Sequence, residues 1–252
     1  MAQSPSTVLL TRPLAESQQL QQLLAVEGIN AVCQPLFEIV PGHQLPQVAD
    51  MVASADIIIA VSKHAVQQAG SVFDQHWPER PTYIAVGPAT QAQWQQQSVN
   101  QVVVPNRHDS EGLLELPQLQ QVAGLRVVIL RGQAGRELLA QQLTQRHAQV
   151  SYCECYQRRV ITLNSSQLVP YWQQQNVNCL VVTSAEQLTQ LIELCRGDHE
   201  SWLYSSRLLT VSKRIAALAS NAGFNKISVS DGASNAALKA TLMQVLNKAK
   251  SS

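Results

Sequence analysis

The feature that most restricts this chain is an internal duplication whose two copies run in different order. Ile58-Ile-Ala-Val-Ser62-Lys-His-Ala-Val66 and Leu180-Val-Val-Thr-Ser184-Ala-Glu-Gln-Leu188 both read as an apolar strand, a serine and the start of a helix. Gly87, in Ala85-Val-Gly-Pro-Ala-Thr90, stands twenty-five residues after Ser62, and Ser212, in Thr210-Val-Ser-Lys-Arg214, stands twenty-eight after Ser184. Fifteen residues on in each case comes another strand, Val102–Val104 or Ile227–Val229, and then a polar turn opening a helix at Asp109 or Asp231. Val8-Leu-Leu-Thr-Arg12 and Val127-Val-Ile-Leu-Arg131 each end a strand in arginine, and twenty-five residues beyond them lie Phe37 and Tyr156. Self-similarity on this scale is the mark of a repeated supersecondary unit.

The copy with Ser62, Gly87 and Arg131 is continuous. The other must be assembled from an N-terminal piece with Arg12 and a C-terminal piece with Ser184 and Ser212. One domain is therefore expected to be inserted into the other: 1–38 plus 161–252 around 39–160, with the chain crossing twice, near 37–41 and 156–162. Two crossings side by side would form a two-stranded hinge. A length of 252 residues, against about 150 per domain, agrees with two compact domains. Runs such as Ile57–Val61, Val127–Leu130 and Leu208–Val211 are continuously apolar, the pattern of strands buried on both faces of a parallel sheet. Alternation of such runs with helices means α/β. The first helix is expected over Leu14–Glu27, burying Leu20, Leu23 and Leu24 and ending at Gly28.

Composition removes several function classes. A net charge of +1 argues against general nucleic-acid or membrane-surface binding, and no apolar run approaches the roughly 20 residues that span a bilayer. The start, Met1-Ala-Gln-Ser-Pro-Ser-Thr7, lacks the charged and apolar regions of a secretory signal. Five scattered cysteines, an odd number, fit reduced thiols in the cytoplasm. Cys153-Glu-Cys155 reads as a metal clip or as two thiols facing inward on a strand; the second is favoured because no other ligand pair lies nearby. Six scattered histidines give no ligand spacing, so no metal is expected. The glutamine-rich stretches, 93–97 and 173–175 among them, read as solvated helix faces.

Ligands of open parallel sheets bind beyond the carboxyl ends of the strands. Arg12, Ser62, Gly87, Arg131, Ser184 and Ser212 all fall there, each beside a helix N-terminus whose free N–H groups favour an anion by ~0.3–1 kcal/mol. With Lys213 and Arg214 they would hold a large, multiply acidic ligand in a cleft between the domains. Plainer readings stand beside this one. The serines are ordinary helix caps, Arg131 and Arg136 pair with Glu137 or a neighbouring carboxylate, and Tyr156 packs the hinge as Phe37 does. Gly132-Gln-Ala-Gly135 lacks the ending of a phosphate loop. No histidine or carboxylate recurs at the strand ends, so any reaction must rest on holding and folding a reactive substrate. A phenol over the cleft could donate to a leaving group.

At this point the residues resemble a known family, the uroporphyrinogen-III synthases. The motifs are Leu9-Leu-Thr-Arg-Pro13, Gln34-Pro-Leu-Phe-Glu-Ile39, Val61-Ser-Lys-His-Ala-Val66, Ala85-Val-Gly-Pro-Ala-Thr90, Ile129-Leu-Arg-Gly132 with Gly135-Arg-Glu-Leu138, Cys153-Glu-Cys-Tyr-Gln-Arg158, Val181-Val-Thr-Ser184 and Thr210-Val-Ser-Lys-Arg-Ile215. Each is loose, but the ordered set is specific. The resemblance implies two flavodoxin-like doubly wound parallel-sheet domains, one inserted in the other and joined by a two-stranded β-ladder. It implies cyclisation of hydroxymethylbilane, with loss of water and inversion of ring D through an azafulvene and a spiro-pyrrolenine, by a cytoplasmic, monomeric lyase. It implies no cofactor, and a partner in the hydroxymethylbilane synthase that makes the substrate. Carried over residue by residue, Tyr156 is the catalytic candidate. Arg12, Ser62, Lys63, His64, Gly87, Thr90, Arg131, Gly132, Ser184, Ser212, Lys213 and Arg214 are candidates for substrate binding. Ser212-Lys-Arg stands where many relatives have Gly-Pro-Thr. The competing class is a non-enzymatic two-domain protein that closes on a small polar or anionic ligand.

Overall fold

The computed structural model describes residues 6–73, 76–133 and 135–250, with side chains as far as Leu246. The opening residues read above for a leader, 1–5, and Ala134 of the paired-glycine loop lie outside them. The strands in chain order are β1 Thr7–Leu10, β2 Asn30–Cys33, β3 Phe37–Pro41, β4 Ile57–Ala60, β5 Thr82–Ala85, β6 Val102–Val103, β7 Arg126–Gly132, β8 Gln149–Val160, β9 Val177–Val181, β10 Arg207–Thr210 and β11 Ile227–Val229. By contacts the chain divides into two compact units, one running up to Glu38 and again from Val160, the other from Ile39 to Arg159.

The first unit holds the sheet β11-β10-β9-β1-β2, every neighbouring pair parallel. Relabelled along its own chain this is the order 2-1-3-4-5 of the flavodoxin-like doubly wound fold. Its apolar strands are buried on both faces, with side chains alternating between two cores. Leu9, Leu180 and Leu208 pack with Trp172, Leu191 and Phe224 on one side. Val8, Leu10, Val181 and Leu209 pack with Leu20, Leu24, Leu238 and Leu242 on the other. The first helix spans Leu14–Ala25, two residues shorter than expected, and the chain turns at Gly28 with φ +69°. Leu20 and Leu24 are buried as expected, but Leu23 is exposed at 40%, because it lies at the edge of the apolar stripe.

The second unit holds β3-β8-β7-β4-β5-β6. From β8 to β6 all pairs are parallel and the spatial order is again 2-1-3-4-5, now with the third, fourth and fifth strands coming first along the chain. Ile58, Ala60, Val128 and Leu130 pack with Val66, Ala69 and Trp94; Ile57, Ile59, Val127 and Ile129 pack with Leu113, Leu119 and Leu143. Each of the fully buried aliphatics contributes about 1.5–3 kcal/mol of transfer free energy. The extra strand β3 lies along β8. Gly42 N–H donates to Cys155 O at 2.9 Å and Ile161 N–H to Leu36 O at 3.0 Å, the crossed numbering of an antiparallel ladder. Among the described residues no helix is long and apolar enough to cross a membrane.

Candidate active site

Tyr156 owes its direction to an irregularity in β8. Arg131 pairs with Glu154, whereas the next residue, Gly132, pairs with Tyr156, so Cys155 is an extra residue with no partner on β7. A bulge of this kind breaks the alternation of side chains and re-aims the residues after it. Without it, Tyr156 would share the face of Tyr152 and Glu154. With it, Cys153, Cys155 and Tyr156 all enter one core, beneath the helix Lys63–Phe73. Gly42 supports the bulge, since a Cβ there would lie 1.9 Å from Glu154 O.

The phenol ring then rests on the backbone of Gly132, where a Cβ would come within 2.6 Å of Tyr156 Cζ. Gln133 N–H donates to Tyr156 O at 2.8 Å, which fixes the strand beneath the ring. The phenol oxygen lies 3.1 Å from Ser62 Oγ. Ser62 Oγ also accepts from His64 N–H at 3.2 Å, and its carbonyl accepts from Ala65 and Val66 N–H, so Ser62 caps this helix. The His64 ring meets the phenol edge-on, 5.7 Å between centroids. Ser62 follows β4 and Gly132 ends β7, neighbouring strands whose onward connections leave in opposite directions. Ser62, His64, Gly132 and Tyr156 thus gather at the topological switch point, where doubly wound sheets bind ligands.

The remaining candidates divide. Gly87 precedes the helix Pro88–Gln95 in extended backbone, with Thr90 buried one turn in and its N–H on Gly87 O at 3.1 Å. The His108 ring lies over Gly87, a neighbour that the sequence did not flag because nothing in its spacing ties it to Gly87. Lys63 opens its helix half-buried. Arg131 lies within β7 rather than beyond it, and its side chain is engaged. It donates to Glu137 Oε1 at 3.0 Å and to Gly132 O at 3.2 Å, and stacks 4.3 Å from the Tyr152 ring centre. Tyr152 O–H donates to Glu137 Oε2 at 2.8 Å. Tyr152 and then Arg131 hold the Glu137 carboxyl below the usual carboxylate range, while burial and then Glu137 push the Tyr152 phenol up to about 12. The plainer reading of Arg131, a structural pair with Glu137, is the one this geometry favours.

In the first unit Ser184 caps the helix Ala185–Leu194, accepting from Gln187 N–H at 3.1 Å, and Gln187 Oε1 accepts from Thr183 N–H at 2.7 Å. Ser212 caps Lys213–Ala222, accepting from Ile215 N–H at 3.3 Å. Lys213 and Arg214 are exposed in the first turn, where the helix dipole disfavours cations by ~0.3–1 kcal/mol each. Arg12 donates to Asn235 Oδ1 at 2.6 Å; burial lowers its pKa and the charge of Glu16 raises it. The cysteines are free thiols, Cys153 and Cys155 facing inward with sulfurs 3.6 Å apart. Among the described residues no group of three or more His, Cys, Asp or Glu gathers as for a metal ion.

Two doubly wound parallel sheets, one interrupting the other, place the chain among two-unit flavodoxin-like α/β proteins. It belongs to the uroporphyrinogen-III synthase HemD family, which it matches over residues 18–240. The uroporphyrinogen-III synthase of Escherichia coli (strain K12) is 42% identical over 240 residues, 92% of this chain and 98% of that one. That of Salmonella typhimurium (strain LT2) is 41% identical over 240 residues, again 92% and 98% of the two chains. Uroporphyrinogen-III synthetase from Helicobacter pylori 26695 shares the fold with a TM-score of 0.59 at 15% identity, covering 97% of this chain and 100% of that one. A mutant uroporphyrinogen III synthase from the extreme thermophile Thermus thermophilus gives 0.58 at 17%, covering 96% and 99%.

Proposed function

We propose that Tyr156 is the acid that releases the hydroxyl of hydroxymethylbilane in this enzyme, and that helix N-termini and cations at the strand ends of both units hold the carboxylates of the substrate. The reaction itself follows from family membership. The chain is a lyase of porphyrin and heme biosynthesis that cyclises hydroxymethylbilane with loss of water and inversion of ring D. A non-enzymatic binding protein is not favoured, because the named relatives are synthases.

The chemistry asks little of the protein's acid–base groups. An electron-rich pyrrole readily expels a protonated hydroxyl, giving an azafulvene. The azafulvene is attacked by the substituted carbon of ring D, and the spiro-pyrrolenine that results fragments and recloses with that ring inverted. The unaided closure takes the simpler course, without inversion. The enzyme's task is to impose one geometry on a flexible polyanion.

The observation that supports the role of Tyr156 is its phenol at the switch point of the inserted unit, seated on Gly132 and 3.1 Å from Ser62 Oγ. In that unit Lys63, His64 and the Gly87–Thr90 turn are assigned to carboxylates. In the other unit Arg12, Ser184, Ser212, Lys213 and Arg214 are. Arg131 is assigned to structure, since Glu137 and Tyr152 occupy its guanidinium. The enzyme acts in the cytoplasm, taking its short-lived substrate in transient contact with hydroxymethylbilane synthase. Incubation with freshly generated hydroxymethylbilane, followed by separation of the isomers, tests the reading: type III product is expected, and type I alone would reject it.

A further inference from the structure

We propose that Ser62 is a positioning residue for this reaction: its hydroxyl donates to the Tyr156 oxygen, leaving the phenol's own proton directed at the departing hydroxyl of the substrate. The proposal rests on the reading of Tyr156 as the acid, and it gives Ser62 a different task from the carboxylate anchor that the sequence suggests.

The inventory of protons and lone pairs decides the direction. A serine hydroxyl carries one proton and two lone pairs. One lone pair of Ser62 accepts from His64 N–H in the first turn of an eleven-residue helix. Before reaction, the 3.1 Å contact to the phenol could run either way. Once Tyr156 has given its proton away only one direction survives, with Ser62 donating to phenolate. His64 N–H, Ser62 O–H and the phenolate then form a chain leading from the positive end of a helix to the developing charge. Gly132 and the Gln133 N–H hold the ring in register with that chain. The titratable groups near the phenol include His64, edge-on to it, and Cys155, beside it on β8; Arg131, next to Gly132, is bound to Glu137.

In the step itself the Tyr156 O–H bond breaks and the proton goes to the hydroxymethyl oxygen. The C–O bond breaks with its electron pair leaving as water, and the pyrrole nitrogen pair forms the azafulvene as its N-protonated cation. After closure the final ring carbon sheds a proton, which restores the phenol, so the sum is substrate to product plus water.

Ser62→Gly tests this, because glycine keeps most of the capping function while removing the hydroxyl. The enzyme, Ser62→Gly and Ser62→Thr are compared in the wild-type and Tyr156→Phe backgrounds. Kinetics use freshly generated hydroxymethylbilane, and the Tyr156 phenolate is titrated by ultraviolet difference against Tyr156→Phe. Ser62→Gly is expected to lower kcat about tenfold, with KM within about twofold and the phenolate titrating at higher pH. Ser62→Thr restores both, and Ser62→Gly costs nothing further in the Tyr156→Phe background. A raised KM with unchanged kcat would overturn the proposal in favour of a carboxylate anchor, as would an equal loss of kcat in both backgrounds. Full activity of Tyr156→Phe overturns the acid reading beneath it, and is told apart because it involves no change at Ser62.

Discussion

Ser62 in the inserted unit and Ser184 in the interrupted one stand at the same point of the same fold, and their surroundings differ. Ser184 is a cap closed on its own helix. Gln187 N–H donates to it and the Gln187 side chain reaches back to Thr183, which leaves the local polar groups mutually satisfied. Ser62 caps its helix equally, yet its oxygen also meets a phenol delivered from a strand 94 residues away. The counterpart of that phenol is Phe37, which packs against the first unit's core. The arginines differ in the reverse sense. Arg131 is buried among Glu137 and Tyr152, whereas Arg12 donates to the neutral Asn235 and feels the charge of Glu16. The same scaffold occurs twice, and the side chains differ: one copy sets a phenol against its cap serine, and the other sets a guanidinium against a neutral amide.

The sharpest way to break this comparison is at the two aromatic counterparts. Tyr156→Phe is expected to lower turnover by on the order of 10²–10⁴, the usual contribution of a positioned acid, with little change in melting temperature. Phe37→Leu should cost about 1 kcal/mol of stability and leave turnover nearly intact. Single-turnover kinetics and thermal unfolding on both variants decide it; equal kinetic effects would erase the asymmetry. Next in size is Gly132→Ala. Its new Cβ would fall 2.6 Å from Tyr156 Cζ, and displacing the ring should reduce turnover by about 10²-fold. The overpacking should lower stability by about 1–3 kcal/mol, read from denaturant unfolding.

The arginine pair gives a smaller contrast. Arg131→Met should destabilise the protein by about 1–3 kcal/mol, leaving KM nearly unchanged. Arg12→Met should raise KM several-fold, by less in high salt, because added ions screen whatever part of the site is open to water. A salt-independent rise would assign Arg12 to packing. The smallest expected effect is on the acid side of the pH–stability profile. Tyr152 and Arg131 lower the Glu137 carboxyl from 4.5, so their bonds stabilise the folded state fully above that value and lose this contribution as pH falls through the lowered one. Glu137→Gln should flatten the fall in melting temperature in that window, read from thermal unfolding at a series of acid pH values.

Much of the architecture was legible because apolar strands and their following serines keep their spacing in both copies. The ends were less so. Val61, Val86, Val182 and Val211 extend apolar runs past the last ladder residues Ala60, Ala85, Val181 and Thr210, and periodicity has no means of separating a turn valine from a strand valine. β8 was visible only in pieces, because Gln149 to Cys155 alternates in burial instead of running continuously apolar. The site was half legible. Its residue types and strand-end positions could be read from the motifs, but not the pairing of Ser62 with Tyr156, which depends on one residue fewer in β7 than in β8. The sequence hint was slight: two inward thiols at 153 and 155 followed directly by a third buried side chain, a break in the two-residue rhythm. Arg131 marks the same limit, because a strand-ending arginine looks alike in sequence whether it faces ligand or Glu137.

The ladder between β3 and β8 has a consequence for assembly on the ribosome. β1 is an interior strand of its sheet, and its partner β9 is synthesised far later; the Thr11 hydroxyl bonds Val181 O across 170 residues of chain. Contacts so distant in sequence are slow to form by random search. The intervening segment, however, emerges complete before β9 does, and its own folding brings Leu36 and Ile161 within a hydrogen bond of each other. The search is thereby expected to shorten to the reach of a single helix, so that closure of the interrupted sheet should follow the folding of the inserted segment.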